Sequence, residues 1–284
     1  MTELLATCWT HAGDSLPIAG RDLSPYDVRT RAEAVTRAGF TGIGFTIEDL
    51  RASSLSLADI KGICEDLGLV HTEVELLGDW WTSGERRQRS DAQRVDLLNA
   101  ATALGARQIK IGPDTSTDPS TTPELLDRDR WAAELHDLAE QAADAGTRVA
   151  LEVLPFSNIA DFTQAAELIK AADHPAAGLC VDIWHVERGP STPADLASLP
   201  PEMVFAVELN DAPGERVGDL FSDTIRNRVP CGEGSFDVEG FIRTLQGSGF
   251  TGPWGVEILA DAHRQLRLDE ALAVAHRTAI RFFN

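Results

Sequence analysis

The chain has 284 residues and 43% of them are hydrophobic, so it can bury a large core; one α/β barrel typically takes about 250 residues. Its formal net charge of −20 gives an average field that repels nucleic acid and anionic membrane surfaces. The four cysteines form no C-x-x-C pair, no apolar run reaches the about 18 residues of a membrane span, and no signal peptide is evident. We therefore expect a cytoplasmic protein with reduced thiols and without nucleic-acid or membrane partners.

Short β-like runs alternate with longer helix-like patterns along the chain. The predicted strands, in chain order, are Leu4–Trp9, Thr41–Phe45, Leu69–Leu76, Gln108–Ile111, Val149–Leu154, Leu179–Val181, Met203–Leu209 and Trp254–Ile258. The predicted helices run from Ser24–Pro25 to Ala38, and over Ser56–Leu67, Ser90–Leu104, Pro123–Ala145, Ile159–Ala172, Val238–Gln246 and Arg267–Phe282. Two polar segments rich in Gly, Pro or Ser are predicted loops, Pro113–Pro123 and Asp211–Asp237, and the second is a candidate lid.

Eight strands that alternate with helices, without a linker-like stretch, predict a single (β/α)8 TIM-barrel domain over residues 1–284. The alternative is an open doubly wound sheet. A G-x-G-x-x-G motif after the first strand would favour that alternative, and the sequence has none there.

Four acids, Glu152, Asp182, Glu208 and Glu257, stand at the carboxyl ends of strands five to eight. Because all strand ends of a barrel open on one face, we expect these acids to converge. Four carboxylates at close range cannot all remain ionised without a cation, and oxygen ligands favour Mg²⁺ or Mn²⁺. The alternative is that one or two of them pair with arginine or cap a helix.

Other side chains near the strand ends are candidates for substrate binding. His185, three residues after Asp182, should lie over the site and bind substrate or transfer a proton. Arg226 and Arg228 in the lid segment could clamp an anionic group or a keto oxygen of a substrate, or merely balance surface acids.

Strands three and four carry two more charged candidates. Glu75 on strand three is a candidate partner for a sugar hydroxyl, with a buried salt bridge as the alternative. Lys110 on strand four is either an inward charge near the site or a solvent-exposed residue, and the sequence does not decide between them. Four tryptophans fall at or just past strand ends, and two of them, Trp9 among the candidates, are expected to line a pocket: Trp9, Trp80, Trp81 and Trp184.

Five segments, ALEVLPFSN, CVDIWHV, AVELNDAP, RVPCGEGSFDVEGFI and GPWGVEIL, resemble the sugar-phosphate isomerase/epimerase superfamily of xylose isomerase-like TIM barrels, including ketose 3-epimerases and inosose dehydratases. The resemblance implies a site for Mn²⁺ or another divalent ion formed by Glu152, Asp182, Glu208 and Glu257. It also implies that Glu152 and Glu257 exchange a proton and that His185 contacts the substrate. The chain departs from the family at Glu208, where His is common and some relatives carry Gln.

The implied activity is that of a divalent-metal-dependent isomerase or epimerase. Its substrate would be a keto sugar, sugar phosphate or polyol, and the reaction would pass through an enediolate. A dehydratase or lyase of the inosose or 3-dehydroshikimate type, with His185 as the acid, is the alternative. Metal-dependent hydrolysis, as in endonuclease IV, is disfavoured by the net charge and the few histidines. A non-catalytic barrel that serves as a partner subunit is opposed by the four acids, and the sequence leaves open whether the chain forms a homo-oligomer.

Overall fold

The computed structural model describes residues 2–115 and 122–283, so that most of the predicted loop Pro113–Pro123 lies outside the described residues. Eight parallel strands close into a barrel in the order β1 to β8, which confirms the predicted (β/α)8 architecture. The strands are β1 Leu4–Ala6, β2 Gly42–Thr46, β3 His71–Leu77, β4 Ile109–Ile111, β5 Val149–Glu152, β6 Ala177–Asp182, β7 Val204–Leu209 and β8 Trp254–Val256.

The helices surround the barrel and cover its strand ends. Within residues 2–115 and 122–283 they are α1 Cys8–His11, α2 Val28–Ala38, α3 Ile47–Ala52, α4 Leu57–Asp66, α5 Gly84–Leu104, α6 Arg128–Asp144, α7 Phe162–Ala172, α8 Ile183–Arg188, α9 Pro193–Ala197, α10 Leu220–Arg226, α11 Val238–Gly247, α12 Asp261–Arg264 and α13 Leu268–Ile280. None of the helices in this part of the chain combines the length and the apolar character that a bilayer crossing requires.

The first predicted helix start, at Ser24 and Pro25, is wrong by three residues. Asp27 is the N-cap of α2, because its carboxylate accepts a hydrogen bond of 2.8 Å from the backbone N–H of Thr30. The backbone N–H of Ser24 instead donates to Asp49 at 3.0 Å, which ties this segment to α3. Gly39, with φ of 103°, ends the helix as predicted.

Other predicted boundaries also differ, most of them by one to three residues and two helix starts by more. The first strand ends at Ala6 because Thr7 is the N-cap of the short helix α1. Helix α5 begins six residues before the predicted Ser90, whereas α6 begins five residues after the predicted Pro123, where Asp127 caps it. The candidate lid is not wholly a loop, because α10 forms within it behind the capping carboxylate of Asp219.

An aromatic cluster joins the segment after β3 to α6. Trp81 stacks on Trp131 with ring centroids 4.2 Å apart, and Trp80 meets Trp131 edge-on at 4.9 Å. All three indoles are buried. Trp80 and Trp81 therefore contribute packing energy in the core, and their position after a strand end did not indicate a binding pocket.

The buried His11 at the end of α1 should make the free energy of unfolding depend on pH. Burial, and next the charge of Arg31, lower the pKa of His11 to about 3. Between pH 3 and about 6.5 the unfolded chain therefore binds a proton that the folded chain excludes, so this contribution is complete above about 6.5 and is lost as pH falls. We expect His11→Gln to reduce the pH slope of the unfolding free energy between pH 6.5 and 5 by up to about 1.4 kcal/mol per pH unit. Urea titrations at three pH values measure this slope, and equal slopes in variant and wild type would contradict the assignment.

Candidate active site

A cavity of about 620 Å³ opens at the carboxyl ends of the barrel strands. Its apolar lining comes from α1, β3, α10 and loops; it comprises Trp9, Ile18, Leu76, Leu154, Phe156, Phe221, Ile225 and Leu259. Its ionisable lining comprises Asp22, Glu48, Glu75, Lys110, Glu152, His185, Arg228 and Glu257. The cavity is thus large enough for a small organic molecule and offers it both apolar and ionisable contacts.

Four carboxylates, which we call the carboxylate ring, converge beneath this cavity. Each of them offers one oxygen, and these four oxygens all lie within 4.8 Å of one another: Glu152, Asp182, Glu208 and Glu257. All four side chains are buried. The barrel therefore brings together the four acids that the strand pattern placed at equivalent ends.

The backbone register fixes the neighbouring pair Asp182 and Glu208, which face each other across β6 and β7. Asp182 Oδ1 accepts hydrogen bonds from Asn210 Nδ2 at 2.8 Å and from the backbone N–H of Trp184 at 2.7 Å. Gly255 on β8 stands opposite Glu208, and a Cβ there would lie 3.2 Å from Glu208 Cγ and 2.8 Å from a backbone carbonyl oxygen. A glycine at this position therefore leaves the space that Glu208 occupies.

Lys110 lies inside this acidic site. Its Nζ is 2.6 Å from Glu208 Oε1, 2.9 Å from Glu75 Oε2 and 3.1 Å from Glu257 Oε1. Burial alone would lower the pKa of Lys110, but the surrounding carboxylates hold it well above its usual range. Lys110 is therefore an inward charge, which resolves the alternative that the sequence left open.

Arg228 supplies the second buried cation. Its Nη1 lies 2.7 Å from Asp182 Oδ2 and 3.0 Å from Glu257 Oε2, and its Nη2 donates to Thr224 Oγ1 at 2.8 Å. Arg226 does not reach the cavity: it is exposed and its nearest acid is Asp261 at 3.5 Å. The expectation that both arginines contact a substrate is thus corrected for Arg226, which is the exposed last residue of α10, whereas Arg228 is buried and lines the cavity.

Glu152 and Glu257, the two members of the carboxylate ring that line the cavity, differ in pKa. For Glu152, burial opposes ionisation, but Lys110, His185 and Arg228 outweigh it and lower its pKa to about 2. For Glu257, burial dominates the pull of Lys110 and Arg228 and raises its pKa to about 7. Burial, and then the charge of Glu257, raise the pKa of Glu208 well above its usual range. One ionised carboxylate and one that readily holds a proton therefore face the same cavity.

His185 and Glu75 reach the cavity from opposite sides. His185 lies on α8, whose N-cap is Asp182, and its Nε2 is 3.1 Å from Glu152 Oε1. Glu75 lines the cavity, where its Oε1 accepts a hydrogen bond of 2.9 Å from the thiol of Cys8 and its Oε2 forms a buried ion pair with Lys110. Of the four tryptophans, only Trp9 lines the cavity among the described residues, one fewer than expected.

Sequence reasoning missed the aromatic wall formed by Phe156 and Phe221. Phe156 lies in the loop after β5 and Phe221 on α10, and their rings are 5.8 Å apart. No periodic pattern marked them, because both lie outside the strands. The position of Lys110 did have a signal: it alternates with Ile109 and Ile111, whose side chains pack against the helices, so Lys110 had to point into the barrel.

The residues present fit a divalent metal ion. Both carboxylate oxygens of Glu208 and Oε2 of Glu75 are buried and accept no hydrogen bond from the described residues, although Lys110 is near both. The carboxylate ring and Glu75 together provide five carboxylates against two buried cations, so negative charge remains to be balanced. Oxygen donors of this kind suit hard divalent ions.

A protein family and a solved structure are similar to this chain. A family model described as "Xylose isomerase-like TIM barrel" matches residues 32–278. A solved structure of the IolI protein with a bound zinc atom superposes with a TM-score of 0.82 at 18% identity, covering 99% of this chain and 98% of that one. That similarity is one of fold.

Two curated relatives carry names of activities. A 3-dehydroshikimate dehydratase of Pseudomonas aeruginosa is 30% identical over 241 residues, which are 82% of this chain and 36% of the dehydratase. An inosose isomerase of Halalkalibacterium halodurans is 29% identical over 148 residues, which are 51% of each chain. This chain therefore spans little more than a third of the length of the dehydratase that it matches.

Proposed function

Because the chain belongs to the xylose isomerase-like TIM barrel family, we propose that it is a divalent-metal-dependent isomerase or epimerase of a small uncharged keto-polyol. The observation that carries this proposal is the pair Glu152 and Glu257, two buried carboxylates that line one cavity and whose pKa values differ, at about 2 and about 7. Such a pair can take a proton from one carbon and return one to a neighbouring atom or to the opposite face.

In the proposed reaction, Glu152 removes the proton α to the carbonyl group, since Lys110, His185 and Arg228 keep it ionised. Glu257 carries the proton that is returned, because its pKa lies near neutrality. Arg228 donates to Glu257 at 3.0 Å and to Asp182 at 2.7 Å, which restricts the direction in which the carboxyl group of Glu257 faces the substrate. Isomerisation and epimerisation differ only in the atom or face that receives the proton.

The carboxylate ring would hold the metal ion. When bound, a divalent ion polarises the carbonyl group and stabilises the negative charge of the enediolate. The zinc atom in the IolI structure supports a metal in a barrel of this fold, while the all-oxygen ligands of this chain favour Mn²⁺ or Mg²⁺. His185, hydrogen-bonded to Glu152, would bind a substrate hydroxyl beside the reacting carbon.

The charges of the cavity favour an uncharged substrate. Among the described lining residues, the only lysine and arginine are Lys110 and Arg228, and both are already paired with carboxylates. The lining also contains Asp22 and Glu48, which add negative charge on the side of β2. A phosphate or carboxylate group of a substrate would meet this negative charge, and no lysine or arginine side chain of the described lining is free to bind it.

We expect a phosphate ester of a keto-polyol to bind at least tenfold more weakly than the uncharged compound, a difference of about 1.4 kcal/mol. Competition titrations of the metal-loaded protein measure this ratio. Asp22→Asn combined with Glu48→Gln should reduce this ratio of affinities at least threefold, because it removes negative charge that repels the phosphate. Equal or tighter binding of the phosphate ester by the wild type would contradict an uncharged substrate.

A dehydratase is the second candidate, and the identity to 3-dehydroshikimate dehydratase over 82% of the chain favours it. The same proton abstraction by Glu152 would then be followed by loss of a β-hydroxyl group, with His185 as the acid. The test is product analysis by NMR after incubation of metal-loaded protein with inososes, keto sugars and 3-dehydroshikimate. A rearranged or epimerised ketone supports the first proposal, a new conjugated double bond supports the second, and no turnover of any ketone would contradict both.

A further inference from the structure

The chain contains three lysines, and they differ sharply in location. Lys61 on α4 is partly exposed and Lys170 on α7 is exposed, whereas Lys110 is buried in the barrel. A buried ammonium group is strongly destabilising unless carboxylates surround it. Lys110 meets this condition through three carboxylates, of which Glu208 is the nearest at 2.6 Å.

Lys110 in turn stabilises Glu208. Glu208 is buried beside Asp182 and Glu257, and neither of its oxygens accepts a hydrogen bond within the described chain. Lys110 is the one ammonium group paired with it among the described residues, since Arg228 pairs with Asp182 and Glu257. The two side chains therefore form a matched pair inside the carboxylate ring.

Lys110 also contacts two of the four carboxylates of the ring. Its Nζ is 2.6 Å from Glu208 Oε1 and 3.1 Å from Glu257 Oε1. Lys110 lines the cavity, whereas Glu208 does not. A divalent cation and the ammonium group cannot both bind these oxygens closely, because like charges at such distances repel strongly.

We propose that Lys110 is a positioning residue that competes with the divalent metal for Glu208 and Glu257 and so sets the metal affinity of the ring. This inference rests on the proposed function in one respect, namely that the ring binds a divalent ion. Glu75, 2.9 Å from Lys110 Nζ on the cavity wall, provides a carboxylate outside the ring that the ammonium group retains.

The test is Mn²⁺ binding in the absence of substrate, measured from the electron paramagnetic resonance signal of free Mn²⁺. Four proteins form a cycle: wild type, Lys110→Met, Glu208→Gln and the double variant. We expect Lys110→Met to lower the dissociation constant for Mn²⁺ at least tenfold in the wild-type background. In the Glu208→Gln background the same substitution should have an effect at least threefold smaller, because the carboxylate for which Lys110 and the metal compete is then absent. Lys110→Gln should act as Lys110→Met does, and Lys170→Met should leave the constant unchanged.

The outcomes separate this inference from the proposed function. Binding of Mn²⁺ by Lys110→Met but not by wild type would support strong competition. An unchanged or weaker affinity in both position-110 variants, with near-ultraviolet circular dichroism like that of the wild type, would overturn the inference and show that Lys110 holds the carboxylates in place. If Lys110→Met changes the dissociation constant by the same factor in the wild-type and Glu208→Gln backgrounds, the pairing of Lys110 with Glu208 is overturned. Product analysis tests the proposed function independently of all these results.

Discussion

Glu152→Gln and Glu257→Gln should each reduce turnover of the keto substrate by about 10³-fold, within the about 10²–10⁴-fold contribution of general acid–base catalysis. Gln is close in shape to Glu but can neither accept nor return a proton at this position. Because the ring would lose one negative ligand, part of the loss could arise from weaker metal binding. The rates should therefore be measured at saturating metal, where only the loss of proton transfer remains.

Glu73→Gln is the matched control for these variants. Glu73 is also a buried carboxylate inside the barrel, and burial raises its pKa to about 7 as it does for Glu257. It does not line the cavity, and it accepts a hydrogen bond of 2.8 Å from Gln108 that an amide oxygen can keep. A loss in Glu73→Gln equal to that in Glu257→Gln would indicate a general effect of removing charge from the barrel and would contradict the assigned roles.

Arg228→Met should lower the free energy of unfolding by about 3–5 kcal/mol, because it leaves Asp182 and Glu257 without their buried cation. The side chain is 1% exposed, so that water cannot replace the lost contacts. Urea unfolding in the presence of a chelator measures this difference without a contribution from bound metal. Adding Asp182→Asn should recover part of the loss, since one of the two unpaired charges is then removed.

Arg226→Met provides the control from the same segment. Arg226 is two residues away, its side chain is 42% exposed, and its ion pair with Asp261 spans 3.5 Å. A surface pair of this kind contributes between about 0 and 1 kcal/mol, so we expect a change of no more than about 0.5 kcal/mol. Similar losses in the two variants would contradict the buried position of Arg228.

The architecture and the carboxylate ring could be predicted because both follow from local patterns. Parallel strands place their carboxyl ends on one face, so an acid at the end of each of four strands determined the convergence of Glu152, Asp182, Glu208 and Glu257. The helix starts were less predictable: α2 begins after Asp27 because Asp49, far along the chain, holds Ser24. A capping pattern alone carries no information on such a tertiary contact.

Predictions about individual side chains in loops were weaker for a similar reason. Arg226 and Arg228 are equivalent in the sequence, and only the end of α10 separates a surface residue from a buried one. Trp80, Trp81 and Trp184 follow strand ends, yet they are buried and do not line the cavity. The aromatic wall of Phe156 and Phe221 depends on how two loops meet across the cavity, and no pattern within either loop encodes that contact.

The central claim is that the carboxylates at the barrel mouth move a proton α to a carbonyl group. The most direct test is solvent deuterium exchange by the metal-loaded wild-type protein, followed by NMR of the recovered ketone. We expect deuterium at the carbon next to the carbonyl group, and at least about 100-fold slower incorporation with Glu152→Gln. A ketone that is converted or bound without any deuterium at that carbon in either substrate or product would contradict the claim.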